Sequence, residues 1–153
     1  MSIQINDNCP HFVLKDQYGS DFLVSDQIGQ KNLVIFFYPK DDTPGCTKEA
    51  CSFRDMHDDF LDNDCIVIGI SSDSTLSHLK FSEKHKLPYT LLSDPQKKVR
   101  KLFGVPSNLF GLIPGRVTYI IDKKGTVKGI YNSLTNPLGH IQDALQKLDE
   151  LKD

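Results

Sequence analysis

An unbroken apolar run at residues 33–38, Leu-Val-Ile-Phe-Phe-Tyr, leads into Pro39 and limits the folds that are open to this chain. Such a run of β-branched and aromatic residues, with no polar alternation, is typical of a strand buried on both faces. From Pro44 onward, apolar side chains recur at helical spacing as far as Phe60. The pattern therefore predicts a buried strand followed by a helix of about four turns.

The rest of the chain repeats this alternation. Strands are predicted at 65–70, 117–121 and 126–131, and helices at 74–86, 95–103 and over the apolar positions between 138 and 151. The helix at 95–103 is expected to begin behind Asp94 as N-cap, with Pro95 in its first position. Residues 12–14 and 22–24 read as a peripheral N-terminal hairpin. The predicted fold class is α/β, a mixed sheet flanked by helices on both faces, with an N-terminal β-hairpin.

Length and charge limit the possible partners. The 153 residues, 39% hydrophobic and 25% charged, are enough for a single domain spanning residues 1–153. A formal charge of -2 gives no electrostatic reason to expect nucleic acid or an anionic membrane as a partner. The longest apolar run is too short to cross a bilayer, and the polar start lacks a signal-peptide core. We therefore expect a cytoplasmic protein that acts on a small molecule or another protein.

The cysteines and histidines suit neither a disulfide scaffold nor a metal site. Cys9, Cys46, Cys51 and Cys65 are few and unevenly spaced, so they are expected to start as thiols in a reducing compartment. The five histidines have no partner spacing typical of zinc ligands, and no glycine-rich phosphate motif is present. We predict no metal and no cofactor.

The turn between the first strand and its helix carries the chemistry. Thr43 and Pro44 suit the N-cap and first helical position, which places Cys46 in the first turn. Unpaired N–H groups and the helix dipole favour a thiolate there. Gly45 lets the backbone approach a small peroxide or oxyanion closely, and the Thr43 hydroxyl is expected to donate to an oxygen near the sulfur. The pattern indicates a nucleophilic cysteine.

A second cysteine, Cys51, follows five positions after Cys46. Ideal helix geometry places the two α-carbons about 8.6 Å apart and roughly 140° around the axis. A disulfide requires a closer approach, so pairing them would require the first turns to unwind. The alternative is that Cys51 packs as a small hydrophobic side chain.

The motif Pro39-x-x-x-Thr43-x-x-Cys46 resembles the active-site signature of the peroxiredoxins. The surrounding residues 40–55 resemble the bacterioferritin comigratory protein (PrxQ) subfamily, and the likeness extends over nearly the whole chain. The resemblance implies a thioredoxin-like fold and a thiol-dependent peroxidase that reduces hydrogen peroxide and organic hydroperoxides in antioxidant defence. It also implies recycling by thioredoxin or a similar dithiol, and a monomer rather than a dimer.

The resemblance assigns roles to individual residues. Cys46 matches the peroxidatic cysteine, Thr43 the hydroxyl that contacts peroxide and Pro39 the ring that shields the sulfur from water. Cys51 matches the resolving cysteine of many subfamily members. In the implied cycle, Cys46 becomes a sulfenic acid, Cys51 condenses with it, and the reductant reopens the disulfide.

An arginine and an acid complete the implied site. Arg116, at the start of a late strand, matches the arginine that holds the thiolate and polarises the peroxide. Glu49 matches an acid that hydrogen-bonds near that arginine, or is one more charge in the first turns of the helix. Arg54 and Arg100 fall in predicted helices and are expected to be solvated or structural.

Other interpretations of the sequence remain open. A thioredoxin-like disulfide oxidoreductase would normally carry a C-x-x-C pair, which this chain lacks, whereas a redox sensor would use the same residues as the enzyme. Cys9 and Cys65 are expected to be packed thiols. The apolar loop 104–115 either lines the entrance and favours hydrophobic hydroperoxides, forms a dimer contact, or folds onto its own domain.

Overall fold

The computed structural model describes residues 2–108 and 113–152. Its strands and helices alternate along most of the chain. The strands are β1 (Val13–Asp16), β2 (Asp21–Leu23), β3 (Asn32–Phe37), β4 (Cys65–Ser71), β5 (Thr90–Ser93), β6 (Ser107–Asn108), β7 (Ile113–Pro114), β8 (Val117–Ile121) and β9 (Val127–Asn132). The helices are α1 (Pro44–Asp55), α2 (His57–Asp62), α3 (Thr75–His85), α4 (Lys98–Phe103) and α5 (Pro137–Glu150), with a 3-10 turn at Val24–Asp26.

Seven of the strands form one mixed sheet in the order β2-β1-β5-β4-β3-β8-β9. Strand β3 lies near its middle, parallel to β4 and antiparallel to β8, and its residues 33–37 are all buried. These contacts explain why the β3 sequence has no polar alternation, because both of its faces are covered. The mixed α/β architecture agrees with the predicted fold class.

The sheet has an apolar core on each face. One core includes side chains of α1, α2, α3 and α5, among them Ala50, Phe53, Phe81 and Ile141. The other contains Val99 and Phe103 of α4 together with the N-terminal Phe12. Helices therefore cover both faces, as predicted, and α1 packs directly against α5.

The helix predicted to run from Pro44 to Phe60 is divided in the structure. It bends at Met56, which separates α1 from α2, although Phe60 N still donates to Met56 O at 3.2 Å. Phe53 and Phe60 are seven residues apart and pack together, with ring centroids 5.5 Å apart. Because that spacing keeps both rings on one face, helical periodicity does not reveal the bend.

The helix predicted at residues 95–103 is shorter in the structure. Helix α4 begins at Lys98 behind Lys97, which has a left-handed backbone, so Pro95 is not its first residue. Asp94 nevertheless caps the helix from a distance, because its carboxylate accepts from Val99 N at 3.3 Å and Arg100 N at 2.9 Å. Asp94 therefore caps α4, but not from the position that the sequence predicted.

Two strand predictions need correction. Strand β5 was missed, because four apolar-rich residues between two prolines give too little pattern to detect. The N-terminal hairpin is present, but it is not peripheral, since β1 pairs with β5 and extends the main sheet. The C-terminal hairpin agrees with the prediction, and Gly125 in its turn has a φ of 83°.

The loop 104–115 contains the small β6–β7 pair, in which Ser107 faces Pro114. Residues 109–112 of this loop lie outside the described residues, so the hypotheses about its role stay predictions. None of the helices in the described part of the chain is long and apolar enough to span a membrane.

Candidate active site

The N-terminus of α1 positions the central cysteine. Thr43 has an extended backbone and acts as N-cap, Pro44 follows it, and Thr47 N donates to Thr43 O at 2.8 Å. Cys46 therefore lies in the first turn, as predicted, and only 1% of it is exposed. No side chain in the described residues caps this turn, which leaves its leading N–H groups directed beyond the helix.

Arg116, just before β8, contacts two of the predicted site residues, Cys46 and Glu49. Its guanidinium donates from Nη2 to Cys46 Sγ at 3.4 Å and from Nη1 to Glu49 Oε1 at 2.7 Å. Its Nε donates to Leu134 O at 3.2 Å, which fixes the plane of the group. A Cβ at Gly45 would lie 3.0 Å from Nη2, so a glycine here lets the arginine reach the helix N-terminus. The structure thus brings together Cys46, Gly45, Glu49 and Arg116.

The Arg116–Glu49 pair is buried. Arg116 is 4% exposed and Glu49 is fully buried. Burial raises the pKa of Glu49 to about 8, against the lowering effect of the Arg116 charge. Burial works against the charge of Arg116, yet the negative groups Glu49 and Cys46 raise the pKa of Arg116 overall. The arginine therefore stays charged beside the sulfur.

Two predicted site residues are less directly engaged. The Thr43 hydroxyl donates to Lys40 O at 2.9 Å, so donation to an oxygen near the sulfur would require it to leave this bond. Its lone pairs remain able to accept from a hydroperoxide O–H. Pro39 is half-buried after β3, and its predicted shielding of the sulfur rests on the motif alone.

The four cysteines are free thiols in this structure. Cys51 is half-buried and shares α1 with Cys46, so the two retain the separation of an intact helix. Burial raises the pKa of Cys9 to about 12 and raises that of Cys65 further. This effect suits the expectation that Cys9 and Cys65 are packed, unreactive thiols.

Arg100, for which the sequence predicts a solvated or structural role, is buried in the structure. Its guanidinium donates to Gly115 O at 2.9 Å and to Tyr38 O at 3.0 Å, and it lies 5.7 Å from the centre of the Phe37 ring. Arg100 therefore fastens the residue before Arg116 to the end of β3. In the sequence, Arg100 is one basic residue among several in a predicted helix, and this pattern does not indicate a contact with Gly115 or Tyr38.

A second residue missing from the predicted site is His140 of α5, which is fully buried. Its Nε2 lies 2.7 Å from Ser133 O, and its Nδ1 lies 2.7 Å from Thr118 Oγ1 and 3.5 Å from Glu49 Oε2. Burial, together with the nearby Arg116 charge, lowers the pKa of His140 to about 4. No sequence spacing links His140 to Glu49, because the tertiary packing of α5 on α1 creates the contact.

The loop before Thr43 is supported by a buried polar cluster. Asp41 accepts from Tyr38 OH at 2.5 Å and from Ser77 Oγ at 2.8 Å, and lies 2.7 Å from His78 Nδ1. Asp41, Asp73 and His78 offer ligand atoms within 4.8 Å of one another, so they are the described residues whose geometry could suit a metal. Internal hydrogen bonds use these same oxygens, which gives the cluster a structural role in holding the loop.

Comparison with known proteins identifies the family. Residues 5–130 match the AhpC/TSA family. The chain belongs to this family. Peroxiredoxin Q of Sedum lineare is 52% identical over 143 residues, which cover 94% of this chain and 76% of that protein. The resemblance to the PrxQ subfamily is therefore confirmed.

Solved peroxiredoxin structures have the same fold. Peroxidoxin BcpB from Mycobacterium tuberculosis superposes with a TM-score of 0.91 at 35% identity, and 99% of each chain is covered. A Cys-to-Ser mutant of Xylella fastidiosa PrxQ gives 0.87 at 26% identity over 98% of each chain. The predicted thioredoxin-like fold is confirmed, as is the class of enzyme, a thiol-dependent peroxidase of the peroxiredoxin family.

The comparison also corrects one prediction. The chain spans about two thirds of the length of several other curated relatives, for example 66% of the Suaeda salsa protein and 64% of the Arabidopsis thaliana protein. These relatives and the one from Sedum lineare are all named chloroplastic. The predicted cytoplasmic location is therefore wrong. It relied on the first residues of the sequence, which do not determine the compartment.

Proposed function

We propose that this peroxiredoxin reduces hydroperoxides with Cys46 as the nucleophile and Cys51 as the resolving thiol. The observation that carries the proposal is the contact between the buried Cys46 sulfur and the Arg116 guanidinium, 3.4 Å apart at an uncapped helix N-terminus. A cation and free N–H groups around a buried sulfur favour its thiolate, which is the nucleophilic form.

In the first step, the Cys46 thiolate attacks the terminal oxygen of a hydroperoxide. An S–O bond forms and the O–O bond breaks, so the sulfur is oxidised to a sulfenic acid and the peroxide is reduced to an alcohol, or to water from hydrogen peroxide. The leaving oxygen takes up one proton. Arg116 and the helix N–H groups stabilise the charge that develops on the breaking bond, with Gly45 leaving room for the approach.

In the second step, Cys51 resolves the sulfenic acid. Its thiol sulfur bonds to the Cys46 sulfur and one water molecule leaves, which gives a disulfide without any further oxidant. An intact α1 keeps the two α-carbons about 8.6 Å apart, so this step requires the N-terminal turns of the helix to unwind.

In the third step, a thioredoxin-like dithiol restores the enzyme. Two thiol–disulfide exchanges return both cysteines to thiols and leave the reductant as a disulfide. The half-buried position of Cys51 supports this step, since a partner thiolate must reach one sulfur of the bond. We further propose that residues 1–153 act as one domain, because both apolar cores pack on the same sheet. We also propose a monomer, which rests on the resemblance to the PrxQ subfamily alone.

Intact mass spectrometry tests these roles. The reduced protein is followed in time after substoichiometric hydrogen peroxide, for the wild type and for Cys46→Ser and Cys51→Ser. The wild type should lose two hydrogens rapidly, Cys51→Ser should gain one oxygen, and Cys46→Ser should remain unchanged. Cys65→Ser is the matched control, because this thiol is buried in β4, and it should behave as wild type.

Slow oxidation that does not depend on Cys46 would overturn the proposal. Multiple turnovers with thioredoxin as electron donor distinguish an enzyme from a redox sensor, since a sensor would be oxidised once and recycled slowly. A chain that forms the disulfide but does not turn over with any dithiol would favour the sensor.

A further inference from the structure

The buried contacts behind Arg116 form a chain that the peroxidase cycle leaves unexplained. Arg116 contacts Glu49 through Oε1, whereas Glu49 Oε2 is buried without a hydrogen-bond partner among the described residues. Oε2 lies 3.5 Å from His140 Nδ1. A buried carboxylate oxygen without a donor is costly, so the proton on this pair of groups matters.

The surroundings of His140 determine its tautomer. Ser133 O is 2.7 Å from Nε2 and can only accept, so Nε2 carries a hydrogen. In a neutral ring, Nδ1 then has a single lone pair, which the Thr118 hydroxyl at 2.7 Å and a proton on Glu49 Oε2 at 3.5 Å would share. A lone pair facing an ionised Glu49 Oε2 would repel it, whereas a proton on Oε2 or on Nδ1 removes the repulsion.

The net charge of the site also favours a proton on Glu49 or His140. A Cys46 thiolate, the Arg116 guanidinium and a Glu49 carboxylate together carry a net charge of minus one in a site almost closed to water. One proton shared by Glu49 and His140 brings that sum to zero. Because an unbalanced buried charge is strongly disfavoured, the thiolate and this proton stabilise each other.

We propose that Glu49 and His140 together retain one buried proton, and that this proton leaves the charge of Arg116 available to the Cys46 thiolate. His140 is then a positioning residue for the peroxidase reaction, which acts through Glu49 and Arg116 without touching the substrate. The inference rests on the proposed function, since it concerns the same thiolate. When the proton is lost to solvent at alkaline pH, Glu49 neutralises Arg116 and the attack on peroxide slows.

Four titratable groups face this pair. Cys46 on α1 and Glu49 both contact the guanidinium of Arg116, which stands before β8, and the buried Tyr89 hydroxyl, from the residue before β5, donates to Ala50 O of α1. The ring of Tyr131 from β9 packs edge-on against His140, with centroids 4.7 Å apart. Arg116 is the cation among them.

The pKa shifts agree with this arrangement. Burial raises the pKa of Glu49 to about 8 and lowers that of His140 to about 4, so at neutral pH the proton resides on Glu49. Oε1 then accepts from Arg116 as a carbonyl, and Oε2–H faces His140. Oε2 then carries a proton instead of a share of a negative charge, which lowers the cost of burying it without a donor.

Infrared spectroscopy measures this proton directly. We expect a carbonyl stretch of a protonated, buried carboxyl group in the reduced wild type at neutral pH, and its absence in Glu49→Gln. Glu83→Gln, an exposed change of the same kind on α3, is the matched control and should keep the band. In Cys46→Ser the band should disappear at lower pH, because no thiolate then opposes loss of the proton.

The pH profile of peroxide reduction gives the functional result. Between about pH 5 and pH 9, the wild-type rate constant should fall about tenfold on its alkaline side, and Glu49→Gln should lack this fall. In His140→Leu the fall should move to lower pH by about one unit, because a proton on Glu49 then has no acceptor at this position. A merely structural His140 would lower the melting temperature and leave the profile unmoved.

Identical alkaline profiles in the wild type and Glu49→Gln, or no infrared band at neutral pH, would overturn the inference. Failure of the proposed function looks different. If Cys46 were not the nucleophile, peroxide reduction would be slow in every variant, while the infrared band would still report the state of Glu49.

Discussion

The two ends of α1 differ in what holds them. At the N-terminal end, Cys46 and Glu49 are buried and tied by Arg116 to the start of β8. At the C-terminal end, Cys51 is half-buried, and the helix is held by packing of Phe53 on Phe36, whose rings stack with centroids 4.5 Å apart. One cysteine is thus fixed by charge and the other is carried on an apolar helix face.

This difference matches the two tasks proposed for the helix. A nucleophile needs a fixed charged environment before peroxide arrives, whereas a resolving thiol needs a helix that can come apart. The N-terminal turn lacks a side-chain cap and an acidic residue, both of which would have stabilised it. The features that expose N–H groups to a peroxide therefore also make the turn easier to unwind.

Replacing the cation should have the largest effect. Arg116→Met removes both the contact to Cys46 and the partner of Glu49, so peroxide reduction should fall by about 100-fold to 1,000-fold. Stopped-flow peroxide consumption measures the loss. Lys48→Ala removes an exposed cation from the same helix and should change the rate little. An Arg116→Met rate within a fewfold of wild type would mean that the helix N-terminus alone activates the sulfur.

Replacing Arg100, which binds the backbone next to Arg116, should have the second largest effect. Arg100→Met leaves Gly115 O and Tyr38 O without their buried donor, and should lower the free energy of unfolding by about 3 kcal/mol. Urea denaturation measures this change. Arg54→Met is the matched control, because Arg54 also donates to one backbone carbonyl but is more exposed, and it should cost about 1 kcal/mol or less. Equal losses of unfolding free energy in the two variants would mean that the buried hydrogen bonds of Arg100 contribute no more than those of the more exposed Arg54.

The two regions also differ in how well the sequence predicted them. The turn from β3 into α1 was predicted nearly residue by residue, because strand burial, the Thr43-Pro44 pair and the position of Cys46 are all local patterns. Arg116 and Glu49 were assigned from the resemblance, and the structure places them in contact. Their roles in the reaction remain predictions.

The supporting residues could not be predicted in the same way. Arg100 acts through contacts with residues 15 and 62 positions away, and His140 through contacts with residues 7 to 91 positions away, which no periodic pattern encodes. The bend at Met56 and the short strand β5 were not predicted for a related reason. Each depends on tertiary packing that overrides a weak local signal.

The free energy of unfolding should depend on pH through two groups near the N-terminal end of α1, Glu49 and His140. Glu49 has a folded pKa raised to about 8, so the folded state binds more protons and the stability that Glu49 contributes is lost as pH rises. His140 has a folded pKa lowered to about 4, so its contribution grows as pH rises from 4 towards 6.5. The two effects oppose each other below pH 6.5, and above it only that of Glu49 remains.

The wild type should therefore lose at most about 2 kcal/mol of unfolding free energy relative to Glu49→Gln between pH 6.5 and pH 8. Urea titrations at several pH values measure the difference. Parallel curves for the two proteins would show that Glu49 is ionised throughout, which would leave the N-terminal end held by a full ion pair.

The smallest effect tests the other end of the helix. The Tyr89 hydroxyl donates to Ala50 O at 2.7 Å, directly before Cys51, and so ties α1 to the segment that leads into β5. Tyr89→Phe should cost about 1 kcal/mol, and if unwinding limits resolution, disulfide formation should accelerate by up to about fivefold. Single-turnover oxidation measures that rate, and hydrogen exchange of α1 amides measures the unwinding.

Tyr119→Phe on β8 removes the hydroxyl of a buried tyrosine that belongs to the opposite core, and it should leave both measurements unchanged. Faster exchange without faster disulfide formation would mean that unwinding is not the slow step. Unchanged exchange in Tyr89→Phe would mean that apolar packing alone holds the C-terminal end. Since the Arg116 contacts remain in this variant, an acceleration confined to resolution would separate the fixing of Cys46 from the release of Cys51.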